Sequence, residues 1–256
     1  MQSNLADGPR QAGPLKFEIF LVLALSLGQS AVYSIVSFLD KVTRAPLGEQ
    51  TTSMNNPLSA RPWFDLTYQL LDIVFALVPV ALALYFMARS LGLGPRQVGF
   101  DLRRPGRDAT WGVGLFLAMG LGTLGLYAAG RALGLTTALS VANLEGHWWT
   151  VPVLLLSAAR HAVLEEVLML AFLFAHGRAL KIAPWALLLG SALLRGSYHL
   201  YQGFGPFIGN AVMGAVFGWV YLRWGRVMPL VIAHFLLDAV GFVGFALIGP
   251  AIGIGG

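Results

Sequence analysis

Seven apolar runs of about 20 residues divide this chain, the length a helix needs to cross the hydrocarbon of a bilayer. They fall near residues 15–39, 63–88, 110–133, 149–175, 183–201, 204–222 and 227–248. Lipid offers no partner to an open backbone, so each run is expected to be a helix. The expected fold class is all-α: a polytopic transmembrane helical bundle of seven to eight spans. The eighth would form if the glycine-rich tail after Asp238 makes a short helix of its own. The first run lacks a small-residue cleavage site and reads as a signal anchor. Tryptophans 63, 111, 149, 185 and 224 fall at or near run ends, where indoles prefer to sit.

Composition agrees. Of 256 residues, 57% are hydrophobic and 11% charged, with a mean hydropathy of +0.70, far from a soluble domain. The absence of cysteine excludes disulfides, thiol nucleophiles and cysteine-ligated metal. The net charge of +5 is explained by arginine-rich loops, so no nucleic-acid partner is expected. With the N-terminus inside, Lys41, Arg44, Arg61 and Arg131 are external, and Arg160 and Arg195 lie within spans. The other eleven of the seventeen basic residues are then cytoplasmic, a clear positive-inside bias. The expectation is an integral protein of a bacterial cytoplasmic membrane with lipid as its immediate partner. Residues 1–148 form an N-terminal tail and three spans, and residues 149–256 carry the motifs, within one membrane domain.

An ionisable group at mid-membrane costs roughly 2.5–3.5 kcal/mol on insertion scales, so buried charges mark function by default. Helical geometry sorts them, because residues i and i+4 share a face. In "ARHAVLEEVLMLAF" Glu165 shares its face with His161, Ser157 and Met169, whereas Glu166 falls among apolar neighbours. Glu165 is therefore the candidate for chemistry and Glu166 for a bond to a neighbouring helix. Ser191, Arg195 and His199 share a second face, and His234 and Asp238 a third. One interior site satisfies all three stripes, although separate interhelical salt bridges would use the same residues.

A carboxylate short of water is a usable general base. Nearby histidines can donate to an oxyanion, and an Asp one turn from a His fixes its tautomer. This is equipment for activating water against a carbonyl, with no serine or cysteine nucleophile in evidence. Zinc held by Glu165, His199 and His234 is the alternative ligand set, but the HExxH helix is missing. No cofactor is expected on the main reading.

These residues resemble the CPBP family (CAAX proteases and bacteriocin-processing enzymes), which includes the type II CAAX prenyl endopeptidases. The family pattern is EExxxR, then FxxxH, then HxxxN or HxxxD. Here the stretches read "EEVLML" from Glu165, "RGSYH" ending at His199 and "HFLLD" from His234 to Asp238. "LLRGSYHLYQG" and "GNAVMGAVFGW", the latter containing Asn210, look like bacterial members. The resemblance covers roughly residues 150–245 and implies a glutamate-dependent intramembrane endopeptidase. By position it makes Glu165 the general base, assisted by Glu166. His199 and His234 become oxyanion or water partners, and Asp238 takes the Asn/Asp place. Arg195, His161 and Asn210 are the supporting candidates.

Two departures stand out: the family's Arg is Leu170 here, and its Phe is Arg195. Either the cation has moved from the glutamate helix to the histidine helix, keeping the local charge balance, or the loss marks a member that has given up proteolysis. The substrate class expected is a peptide or membrane protein, lipidated or membrane-associated. The competing reading is a non-catalytic immunity or scaffold factor, or a proton-coupled carrier, for which the two related halves typical of carriers are missing.

Overall fold

The computed structural model of the protein describes residues 12–142, 144 and 146–248. Helices occupy all seven apolar runs: α1 (Ala12–Ala24) with α2 (Leu27–Arg44), α3 (Pro62–Ala76) with α4 (Val78–Leu91), and α5 (Pro105–Ala132). They continue as α6 (Thr150–Glu166), a π-helical segment (Val167–Phe172) and α7 (Leu173–Ala179), followed by α8 (Pro184–His199), α9 (Phe204–Trp224) and α10 (Met228–Ile248). Residues 241–248 of the tail expected to make an eighth helix continue α10 instead, and the rest of that tail lies outside the described residues.

Three stretches are long and apolar enough to cross a membrane: Pro62–Leu91, Pro105–Ala132 and Phe204–Trp224. The bent pair α1–α2 makes a fourth. Length and apolarity thus support up to four crossings rather than seven among the described residues. The remaining helices carry the ionisable stripes or are shorter, which keeps them below that standard.

The first run is not one straight helix, for α1 and α2 meet at 50°. The Ser26 hydroxyl donates to the Val22 carbonyl at 2.5 Å, a local bond that competes with the helix ladder. The second run breaks at Leu77, two residues before Pro79, whose ring cannot continue the ladder.

Val22, Leu27 and Met87 from the N-terminal helices share one core with Phe172, Phe217 and Leu230 from the motif-bearing half. The two halves are therefore one packed body. Large apolar side chains such as Phe20, Val36, Phe75, Leu121 and Trp219 stay exposed on the outside, a surface suited to lipid.

The two ends of the bundle are tied differently. At one, Arg226 binds Asp101 at 3.2 Å and Asp108 at 2.5 Å, joining the α4–α5 and α9–α10 connections. At the other, Lys41 reaches the Tyr201 carbonyl at 2.8 Å, and two strands pair in parallel, β1 (Thr51–Ser53) with β2 (Ala138–Ser140). These strands are the one departure from all-α among the described residues, and they lie in the connecting loops, where backbone groups still need partners.

Helix α9 is the close-packing surface, as its glycines imply. A Cβ at Gly214 would stand 3.0 Å from the Ala192 Cα and 3.2 Å from the Arg195 Cδ. The missing side chain at Gly214 is what lets α8 and the stem of Arg195 lie against α9.

Candidate active site

The three stripes converge. Glu165 and Glu166 end α6, Arg195 lies on α8 and His234 on α10. Glu165 is 6% exposed, Glu166 0%, Arg195 1% and His234 3%. The Arg195 Nη2 donates to Glu165 Oε2 at 3.2 Å and contacts Glu166 Oε1 directly. Glu166 Oε1 also meets His234 Nδ1 at 2.7 Å. One cation thus stands between two adjacent carboxylates and offsets their mutual repulsion, which burial would otherwise make severe. Glu166 bonds to α8 and α10, and Arg195 contacts both glutamates.

Sequence reasoning missed Tyr198. Its hydroxyl donates to Glu165 Oε2 at 2.7 Å, and the Arg195 Nε reaches the same hydroxyl at 3.4 Å. The available signal was its place three residues after Arg195, together with the rule that a buried tyrosine hydroxyl finds a partner.

The π-helical segment was equally unannounced. Its i→i+5 bonds widen the helix just after the glutamates, a feature that recurs at functional sites. Position 170, where the resembled family carries Arg, lies within this segment. Here Leu170 is fully buried.

His199 ends α8, and both of its ring nitrogens are buried without a hydrogen-bond partner among the described residues. It lies within electrostatic range of Glu165, Arg195, Asp238 and His234. Glu166 Oε2 is likewise buried and unpartnered. Asp238 presents Oδ2 to His234 Nε2 at 3.6 Å and to His161 Nδ1 at 3.5 Å.

Asn210 is not drawn into the cluster; its amide donates to the Pro206 carbonyl of its own helix at 3.0 Å. His176 is fully buried and pairs with Glu18 at 2.8 Å, tying α7 to α1. Ser157 shares the glutamate stripe but bonds Asn55 at 3.2 Å.

For zinc, the fit is poor: among the described residues no group of three or more His, Asp or Glu is arranged to hold a metal ion. Arg195 contacts the carboxylates that such an ion would need.

The family model described as Type II CAAX prenyl endopeptidase Rce1-like matches residues 147–240. No curated protein and no solved structure matches the chain. The matched residues contain the glutamate pair, the Arg195–His199 stretch and the His234–Asp238 stretch. Through this segment, and only there, the chain is similar to the CAAX/CPBP family of intramembrane proteases.

Proposed function

We propose that the protein is an intramembrane endopeptidase in which Glu165 activates water against a peptide bond of a membrane-associated or lipidated substrate. The observation that carries the reading is the buried constellation of two carboxylates, one guanidinium and His234, with the unpartnered ring of His199 in electrostatic range.

The bonds of Arg195 and Tyr198 to Glu165 both fall on Oε2, which leaves Oε1 to take a proton. Water gives that proton to Glu165 as its oxygen attacks the carbonyl carbon. The carbonyl oxygen becomes an oxyanion, and His199 donates to it from its ring N–H. Collapse of the tetrahedral species breaks the C–N bond, and Glu165 returns the proton to the departing amine. His234 and Arg195 hold Glu166 beside the base, and Asp238 faces the far nitrogen of His234. The basic end of the bundle, with Arg103, Arg104 and Arg107 exposed, is the cytoplasmic face on this reading, following the positive-inside rule.

The test is cleavage of lipidated and transmembrane peptides by the purified protein in detergent, read by mass spectrometry. Glu165→Gln keeps the side chain's volume and removes the base, so cleavage should disappear while the unfolding temperature changes little. Comparable turnover by the Gln variant would remove Glu165 from its role. A chelator should leave cleavage intact, and loss that zinc restores would establish the metal reading instead.

A further inference from the structure

We infer that Arg160 and His161 are positioning residues that hold Asp238 against His234, and that Arg160 does so from the wall of a cavity. The inference rests on the proteolytic reading above. The cavity, about 470 Å³, opens between α2 and α3, and Gln29, Ser30, Asp72, Phe75, Arg160 and Leu164 are among its walls. Arg160 Nη1 lies 3.5 Å from Asp72 Oδ2. From the same guanidinium, Nη2 lies 2.7 Å from His161 Nε2.

A guanidinium in a protein only donates, so His161 Nε2 must accept and carries no proton. The ring proton then sits on Nδ1, the nitrogen that faces Asp238 Oδ2 at 3.5 Å. Which imidazole nitrogen is protonated is set by the partner of the other, and here Arg160 is that partner. Asp238 Oδ2 in turn faces His234 Nε2 at 3.6 Å, and His234 Nδ1 meets Glu166 at 2.7 Å.

Asp72, Arg160, His161, Asp238, His234 and Glu166 therefore follow one another from the cavity to the glutamate pair. Arg160–His161 and His234–Glu166 are hydrogen bonds, and the other links are looser charge-pair distances of 3.5–3.6 Å. Without the Arg160 donor, His161 can place its proton on Nε2 and turn a lone pair towards the carboxylate. Asp238 then loses the donor that fixes it.

Two measurements test this. Nitrogen NMR of ¹⁵N-histidine protein in detergent reads the tautomer directly and needs no substrate. His161 should be neutral with its proton on Nδ1, and Arg160→Met should shift it towards the Nε2–H form. Arg160→Lys, which keeps the cation, serves if the Met variant does not fold. A wild-type His161 protonated on Nε2 would overturn the inference.

The second measurement is kinetic. His161→Asn places an amide donor near the position of Nδ1 and should keep kcat within a few-fold of wild type. His161→Gln and His161→Phe should lose about 10-fold or more in kcat with little change in KM, as misplaced supporting groups do. Equal kcat for all three variants, or an Asn variant as poor as Phe, would reject the positioning role. Should the wild type cleave nothing, the proteolytic reading falls while the NMR result still decides the tautomer.

Discussion

Arg195 on α8 and Glu166 on α6 are in direct contact with almost no solvent exposure, at 1% and 0% for their side chains. Removing one member of a buried pair leaves an uncompensated charge, which costs about 3–5 kcal/mol. Arg195→Leu should therefore unfold at a clearly lower temperature in detergent and be inactive. Position 170 lies on the helical continuation of α6 just after the two glutamates, so the double change Arg195→Phe with Leu170→Arg, which returns a cation to that helix, should restore stability and cleavage together. Failure to recover either would reject the view that the cation has only changed helices.

Tyr198 offers a gentler probe. Its hydroxyl donates to the carboxylate oxygen that Arg195 also binds, and a hydrogen bond to a charged group contributes about 1.5–3 kcal/mol. Tyr198→Phe should keep the fold, reduce kcat and leave KM nearly unchanged. A Phe variant with wild-type kcat would confine Tyr198 to packing.

Gly214 sets how near α9 comes to Arg195. Gly214→Ala brings a methyl within 3.0 Å of the Ala192 Cα and 3.2 Å of the Arg195 Cδ, and overpacking of this kind costs about 1–3 kcal/mol. Gly209→Ala is the control, since its Cβ meets only the mobile tip of Leu126 at 3.1 Å. Unfolding temperature and activity should fall for the first and hold for the second. The reverse order would show that α9 is not what seats Arg195.

The loop tie at the basic end carries a pH signature. The Arg226 hydrogen bond, then the backbone N–H of Arg103, holds the Asp101 carboxyl below its ordinary value. Its folded form is thus the poorer proton acceptor. The stabilisation is complete above the unfolded value near 4 and fades as pH falls through the lower folded one. Arg226→Met should lower the unfolding temperature at neutral pH, with the gap to wild type shrinking below about pH 4. A gap that stays constant with pH would show that the ion pair contributes nothing.

What the sequence determined by itself was everything that depends on local spacing. Apolar length located the helices of every run, because a backbone in lipid must satisfy itself within its own segment. The i, i+4 rule placed His234 beside Asp238, whereas the apolar surroundings that helix phase assigned to Glu166 are replaced by Arg195 and His234 from neighbouring helices. Only the tertiary structure decided that Arg195 reaches both glutamates, since they meet across some 30 residues of chain through the packing of α6, α8 and α10. It also decided the 50° bend between α1 and α2 and the π-helical widening after Glu166. Tyr198 and the Arg160–His161 pair belong with these. Their side chains are unremarkable along the chain and acquire a role from the groups that neighbouring helices place against them. Hydropathy and periodicity describe one helix at a time, whereas the energy of a buried charge is set by its partners in three dimensions.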